Sequence, residues 1–468
     1  MCHGDSHEHS WSRHVYYNPV YQALVDVIIS RLNKLFSFLV ISIVTLGVEA
    51  FHATFIGHYP ITQMPRFGWV LVYMVLIWAA MYMTGVTERN VSASGVVMRA
   101  AGALVLSTVS ISALQLIWQT PLLPRFDVAA TAVLLWPLMA FMAHLGEKSR
   151  AHRGKLDGLV AIVSPEEAER LRAEIDARPE KPAVLLATID YLAALPTHAV
   201  DQPLVDLVRN CGASLVVANK YAQDRDEILE QVLTLHASGV RFRPLSLFYD
   251  EWLGKAPLTE LEKQSLLFDV HEIHQPLYAH LKRLSDIVIA CVGLVALGMV
   301  TPLVWVANLF GNRGPLFYTQ QRVGKDSTVF TMIKFRTMRP HSDGEPEWTS
   351  ADDDRVTPVG RLLRRTHLDE LPQLVNVLRR DLSIVGPRPE QPHYVEQLSN
   401  KIPYYNVRHL VRPGMTGWAQ IKYGYGANEL DAAEKLQYEF YYMRHQGISL
   451  DLKIIGRTLR CMLLRCGR

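Results

Sequence analysis

The chain has 468 residues, too many for one ordinary hydrophobic core, so two or three structural units are expected. Apolar residues make up 49% of it and the formal net charge is only +3, yet long apolar runs fill the first third and arginine clusters the last. That asymmetry points to a membrane and away from nucleic acid, while five cysteines without a C-x-x-C pair exclude a disulfide framework and fit a reducing compartment.

Residues 1–30 form a polar tail carrying Cys2, His3, His7 and His9. It lacks the apolar core and small-residue cleavage site of a removable signal peptide, and it reads as a disordered tail rather than a metal site. Within 31–150 follow four apolar stretches, Leu35 to Gly57, Phe67 to Gly85, Val96 to Trp118 and Val128 to Leu145. Each is near the ~20 residues a spanning helix needs, so they predict a four-helix transmembrane bundle. Arg31 and Lys34 precede the first, Arg89 and Arg99 flank the second loop, and Lys148, Arg150, Arg153 and Lys155 follow the fourth. The positive-inside bias therefore predicts a cytoplasmic N-terminus and a cytoplasmic exit from the fourth span. Glu49 and His52, one helical turn apart, read as a pair near the outer interface or, alternatively, as a polar site within the membrane.

From 156 to 258 the pattern changes to short strands, Leu159 to Val163, Ala183 to Ile189, Ser214 to Ala218 and Val240 to Pro244. They alternate with helical segments Glu166 to Ala177, Leu204 to Asn210 and Glu227 to His236, which predicts a parallel sheet in an α/β domain. A glycine-rich first turn, which lets backbone amides approach a phosphate, is missing, so the domain reads as structural or regulatory. Tyr278 and Lys282 match the Y-x-x-x-K spacing of an oxidoreductase, but no glycine fingerprint supports it.

After a linker at 259–280, the remaining segment 281–468 opens with another long apolar run, Leu284 to Phe310. A straight crossing leaves Lys282 and Arg283 inside and carries Arg322, Lys325, Lys334 and Arg336 outside, against the charge bias at one end. Pro302, after Thr301, removes a helix amide and predicts a kink. A broken, re-entrant helix over 284–310 keeps both flanks cytoplasmic. It is expected to set Lys282 and Arg283 among lipid headgroups, with Asp286 bonded to Arg283 or to backbone freed at the kink.

Beyond the kink lie Lys334-Phe335-Arg336, Arg364-Arg365-Thr366-His367-Leu368-Asp369-Glu370-Leu371-Pro372 and Val385-Gly386-Pro387-Arg388. Adjacent carboxylates enclosed by guanidinium groups suit diphosphate chemistry, because arginine forks match phosphate oxygens. Pro372 fits the first turn of a helix running from Gln373 to Arg380, which puts Asp369 and Glu370 near a helix N-terminus that favours anions. An ionised carboxylate there can attack phosphorus and its neighbour can hold Mg²⁺; the plain alternative is a helix cap beside a solvated first-turn residue.

From about Lys282 onward the chain resembles the monotopic polyprenyl-phosphate hexose-1-phosphate transferases, the bacterial sugar transferases. The matching stretches are K-R-L-S-D at 282–286, Q-Q-R-V-G at 320–324, K-F-R-T-M at 334–338, L-D-E-L-P-Q-L at 368–374, V-G-P-R-P-E at 385–390 and R-P-G-M-T-G-W-A-Q at 412–420. The bundle and a degenerate Rossmann-like (CoA-binding-like) domain resemble the long members of that family. The resemblance implies transfer of hexose-1-phosphate from a UDP-sugar to polyprenyl (undecaprenyl) phosphate by a ping-pong route, initiating exopolysaccharide, capsule or O-antigen synthesis at the cytoplasmic face of the bacterial inner membrane. It implies Asp369 as nucleophile, Glu370 as its Mg²⁺-binding or proton-handling partner, and Arg365 and Arg388 as phosphate ligands, with Lys334 and Arg336 as weaker candidates. It further implies a homodimer and other polysaccharide-assembly enzymes as partners. Thr301-Pro302 stands where the family breaks its re-entrant helix at Ser-Pro, and His367 and Arg380 stand where serine and glycine are common. The basic amphipathic end, Asp451 to Arg468, suits either the headgroup plane or a helix packed on the catalytic core. A non-enzymatic membrane scaffold or lipid flippase built on the bundle is the rival reading, and no motif selects the sugar.

Overall fold

The computed structural model describes residues 36–60, 62, 66–86, 93–118, 123–151, 157–177, 183–198, 200–260, 276–312, 314–339, 355–423 and 429–464. The tail at 1–30 and linker residues 261–275 thus lie outside the described residues. Two compact units emerge, one comprising Arg153–Phe248 and the other joining Ile41–His152 to Tyr249–Arg468.

Helices α1 (Phe36–Ile56), α2 (Arg66–Thr84), α3 (Ala93–Trp118) and α4 (Arg125–Ala151) lie over the four expected apolar stretches, and among the described residues the first three are long and apolar enough to cross a membrane. Leucine, valine and aromatic side chains face outward along them, with Val75 58%, Val105 63% and Leu116 80% exposed, as a lipid solvent requires and water would not tolerate. Where α1 ends, a π turn over His52–Ile56 brings polar groups inward. Glu49 and His52 are both buried; Tyr59 donates its hydroxyl to Glu49 Oε1 at 3.0 Å and lies 2.9 Å from His52 Nδ1, and Asp127 of α4 lies 3.9 Å from that nitrogen. The pair thus belongs to a buried polar cluster that ties α1 to α4.

In the first unit, β1 (Asp157–Ile162), β2 (Ala183–Ile189), β3 (Leu215–Ala218) and β4 (Arg241–Pro244) form one parallel sheet in the order β2-β1-β3-β4. Helices α5 (Pro165–Asp176), α6 (Pro203–Cys211) and α7 (Asp226–Ala237) make the crossovers, each within two residues of the sequence expectation. Central strands β1 and β3 are buried along almost their whole length, which is why they read as continuous apolar runs. Ser164 caps α5 in a reciprocal capping box with Glu167, whose carboxylate also accepts from Asn219 Nδ2 at 2.9 Å. The helix N-terminus that would meet a phosphate in a nucleotide domain is thereby filled by the chain's own carboxylate.

The second unit continues with α8 (Pro276–Gly311), hairpin β5 (Phe317–Val323)/β6 (Val329–Phe335), α9 (Pro358–Thr366), a 3₁₀ turn over Leu368–Gln373 and α10 (Leu374–Arg379). Then come β7 (Ser383–Val385), α11 (Pro392–Lys401), β8 (Gly414–Thr416) parallel to β7, α12 (Trp418–Lys422), α13 (Glu429–Arg444) and α14 (Ile448–Leu464). Residues 249–258, read from sequence as the end of the α/β segment, are held on this unit: Trp418 Nε1 donates to Gly254 O at 2.7 Å and buried Lys255 meets Glu434 at 2.6 Å. The C-terminal amphipathic stretch takes the packed alternative. Ile454 of α14 is fully buried, and Gly456 lies so close to the Met83 backbone of α2 that a Cβ would clash.

Helix α8 passes through Pro302 as one element of 36 residues, roughly 54 Å at ~1.5 Å per residue, where ~30 Å spans the hydrocarbon. Both of its halves are fastened to the same unit. Near its start Ala290 packs with Leu374 and Val385, and beyond the proline Val304 packs with Phe335 and Leu363. Its other face is apolar and open, with Val292 68%, Met299 71%, Leu303 71% and Phe310 86% exposed. Thr301 Oγ1 donates to Leu297 O, the i−4 carbonyl of the turn before Pro302. By length and composition α8 joins α1, α2 and α3 as a helix able to enter a membrane.

Three expectations at the start of α8 are corrected. Lys282 is buried, not lipid-facing, and donates to Val385 O and to Asp451 Oδ2, both at 2.9 Å. Asp286 bonds neither Arg283 nor freed backbone; its Oδ1 accepts from Ser383 Oγ and Ile384 N, both at 3.0 Å. Arg283 turns its fork onto Val377 O at 2.7 Å and Leu378 O at 2.9 Å, capping the C-terminus of α10. Their charge and spacing suggested headgroups, but three groups near one helix end were better used to satisfy a buried strand and orphan helix carbonyls. Tyr278 donates to Asp451 at 2.9 Å in the same network, so the Y-x-x-x-K spacing is structural.

Candidate active site

His367 ends α9 in the left-handed region (φ 55°), and the chain re-enters a 3₁₀ turn whose first residues are Leu368, Asp369 and Glu370. The acidic pair therefore sits in the first turn of a short helix that feeds α10, close to the arrangement Pro372 predicts. Asn376 of α10, fully buried, accepts from Ile333 N and donates to Thr331 O at 2.8 Å, locking this turn against β6. Lys334, on β6, consequently reaches Glu370 Oε1 at 3.3 Å.

Arg388 approaches the same oxygen at 4.0 Å from the far side. Its backbone is strapped twice. Buried Arg408, paired bidentately with Glu439 at 2.7 and 2.8 Å, donates to Arg388 O at 2.8 Å, and Arg322 donates to Pro389 O at 3.1 Å. Gly386, two residues upstream, passes so near the Arg412 carbonyl that no side chain fits, which explains glycine before Pro387 and Arg388.

The two carboxyls occupy different electrostatic surroundings. Burial pushes the Asp369 carboxyl up and the Glu370 charge adds to that, against the pull of Lys334, Arg364 and His367. Burial also pushes Glu370 up, but Lys334 and Arg388 outweigh it and hold that group at about 2. At neutral pH Glu370 is a fixed anion, while Asp369 is the more basic of the pair.

The remaining expected residues separate. Arg365 is exposed on α9 and points away from the packed side of that helix. Arg336 is buried, and its guanidinium donates to Pro315 O at 2.8 Å and to the Asn312 carbonyl at the end of α8. The fork expected to meet phosphate there is spent on backbone. Arg364, next to the expected Arg365, is the arginine that acts on Asp369, and its Nε donates to Thr337 Oγ1 at 3.0 Å. The amphipathic period of α9 could have distinguished the two arginines, since Leu363 is the buried position that sets the inward face. Asn376 and Arg408 had no signal in sequence, because their partners are backbone groups and a carboxylate distant in the chain.

Residues 277–465, from the first turn of α8 to the end of α14, match the model of the family described as "Bacterial sugar transferase". The "Uncharacterized sugar transferase EpsL" of Bacillus subtilis is 39% identical over 188 residues, which are 40% of this chain and 89% of that protein. The chain belongs to the bacterial sugar transferase family. A UDP-N-acetylgalactosamine-undecaprenyl-phosphate N-acetylgalactosaminephosphotransferase of Aeromonas hydrophila is 40% identical over 196 residues, 41% of this chain and 46% of the relative. A UDP-glucose:undecaprenyl-phosphate glucose-1-phosphate transferase of Xanthomonas campestris pv. campestris is 30% identical over 285 residues, 58% of each chain. The matched segments thus span about half the length of these two curated relatives. The sugar transferase segment contains every element that surrounds Asp369, and α8 is its first.

Among the described residues no group of three metal-ligating side chains converges. Mg²⁺ is commonly held by one or two protein carboxylates with water and substrate phosphate completing the shell. Asp369 and Glu370 meet that lesser requirement.

Proposed function

We propose that the protein is a phosphoglycosyl transferase that moves hexose-1-phosphate from a UDP-sugar to polyprenyl phosphate through an aspartyl-phosphosugar intermediate. The observation that carries this reading is the split environment of the acidic pair, a basic Asp369 beside a fixed Glu370 anion, at the foot of an apolar helix. An ionised Asp369 Oδ attacks the sugar-bearing phosphorus of the donor. The bond from that phosphorus to the bridging oxygen breaks and UMP leaves. An oxygen of polyprenyl phosphate then attacks the same phosphorus, the Asp369 carboxylate departs, and the lipid diphosphate sugar is released. Lys334 and Arg388 meet the charge that develops on the phosphoryl oxygens, and exposed Arg365 receives the donor's outer phosphate. Asp369 and Glu370 would hold Mg²⁺, which supplies charge neutralisation at the diphosphate. Names of relatives divide between glucose and N-acetylgalactosamine, so the hexose is left unassigned.

Helix α8 is read as re-entrant. Attachment of both its halves to one unit supports this, with Ala290 packed beside Leu374 and Val385, and Val304 beside Phe335 and Leu363. The site then lies at the cytoplasmic headgroup level of the inner membrane, where a soluble donor and a lipid acceptor both arrive, and the four spans and the Rossmann-like unit are accessory. The rival scaffold or flippase reading has no use for a basic cradle around paired carboxylates.

Two experiments test the proposal. Asp369→Asn is expected to lower UMP release by about a thousandfold or more and to abolish a trapped phosphosugar adduct; an adduct that survives would remove Asp369 from the role. A single cysteine at exposed Ser327, in an otherwise cysteine-free chain, is expected to react with an impermeant maleimide only after cell lysis. Labelling from outside intact cells would overturn the topology.

A further inference from the structure

A second pair of carboxylates, on helices that the transferase reading leaves idle, lies inside the bundle. Glu49 of α1 is 1% exposed and Asp127 of α4 is 4% exposed. The two side chains are within hydrogen-bonding reach of each other. Yet Glu49 Oε2 and both carboxylate oxygens of Asp127 are buried without a hydrogen-bond partner. Ionised carboxylates only accept, so two of them at bonding distance make no bond until one carries a hydrogen. We infer that Glu49 and Asp127 share one proton, forming a proton-binding site that fastens α1 to α4.

The surrounding groups supply no other donor. The Tyr59 hydroxyl has a single hydrogen and gives it to Glu49 Oε1 at 3.0 Å, so its 2.9 Å contact with His52 Nδ1 is an N–H donated to the tyrosine oxygen. That same Nδ1 stands 3.9 Å from Asp127 Oδ2, too far for a hydrogen bond. Arg66 of α2 lies over the Tyr59 ring, 4.3 Å from its centroid, while His58 and Arg125 are exposed. Beside the pair, Val48, Phe51 and Phe126 line an apolar cleft between α1 and α4. Two anions there would be poorly solvated and would repel each other, whereas an acid bonded to a carboxylate carries one charge and satisfies both partners. The backbone is shaped for this arrangement. The π turn over His52–Ile56 leads to Gly57, where a Cβ would collide with the Tyr59 ring, so the chain can fold Tyr59 back onto Glu49. Ionisable groups within a bundle are costly, and a chain running His52, Tyr59, Glu49, Asp127 is the kind of polar series that passes protons.

The test needs no turnover, so it stands apart from the transferase reading. The full chain is placed in phosphatidylcholine nanodiscs and its infrared spectrum is recorded in neutral and in alkaline buffer. Wild type is expected to show a protonated-carboxyl stretch that disappears in the alkaline direction, as the proton passes to water and two anions are left facing each other. Its Tm should fall by roughly 5 °C over the same change, because the joint between α1 and α4 loses its hydrogen bond. Asp127→Asn puts an amide N–H where the proton was, so it should lack this component of the stretch and hold its Tm in alkaline buffer. Glu49→Gln should also lack it. Protonated carboxyls elsewhere in the chain persist in both variants, which makes the difference from wild type the quantity to read. A wild-type spectrum without the band, or a band unchanged in both variants, overturns the site. If sodium in place of N-methylglucamine removes the band at fixed pH and raises Tm, the oxygens hold a metal cation and the proton assignment falls.

Discussion

Asp369 and Glu370 are chain neighbours with unlike partners, and their division of labour follows from that. Asp369 is raised above the ordinary carboxyl value of ~4, so the acid limb of kcat/KM should lie higher than a free carboxylate would give, with activity lost as pH falls through it. Glu370→Gln removes a neighbouring negative charge and should move that limb to lower pH; a limb that stays put would assign it to another group. The stability sign is opposite to that of a salt-bridged acid. The folded state holds the Asp369 proton more tightly than the unfolded chain, so ionisation costs stability as pH rises from ~4 through the folded value. Asp369→Asn should therefore be more heat-stable at neutral pH, read as a higher Tm, although inactive. The adjacent arginines should also separate kinetically. Arg364→Ala loses a charge acting on Asp369 and should lower kcat, whereas Arg365→Ala should raise KM and leave kcat near its original value.

Among the elements, α8 does two tasks that the sequence merges into one apolar run. One face is apolar and open, and the other carries Lys282, Asp286 and Asn308 into the protein as buried anchors. Asp286 holds β7, and β7 leads through Gly386 to Arg388, so the buried anchor of α8 and Arg388 share a strand. Asp286→Ala leaves Ser383 Oγ and Ile384 N buried without an acceptor, which should cost about 2–4 kcal/mol by chemical denaturation. It should also weaken donor binding, because Arg388 loses its fixed backbone. The periodic apolar pattern and Pro302 made the helix legible, but nothing in it distinguished an anchor from a headgroup contact. That distinction depends on Ser383 and Val385, about a hundred positions away.

For the whole molecule, the membrane bundle and the sugar transferase segment behave as one unit, joined where α14 meets α2. Gly456 permits backbone contact with Met83, so Gly456→Val should force the helices apart and cost about 1–3 kcal/mol, read as a lower Tm, with a smaller loss of activity than Asp369→Asn. Equal stability would mean that the bundle is only tethered to the catalytic segment.

The sequence alone determined what depends on local pattern: the apolar spans, the strand and helix alternation of residues 156–258, the proline in α8 and the acidic pair at a helix start. Each follows from periodicity, capping or turn chemistry within a few residues, and the ordered motifs from 282 to 420 identified the family. Tertiary structure decided which of several equivalent charges does what. Arg364 instead of Arg365 acts on Asp369, Arg336 is committed to carbonyls, Lys282 is buried, and Asn376 and Arg408 align the site unannounced. The physical reason is that a charge's role is set by what surrounds it, and those surroundings are assembled from segments far apart in the chain, as with Lys282 and its partner Asp451, 169 positions away.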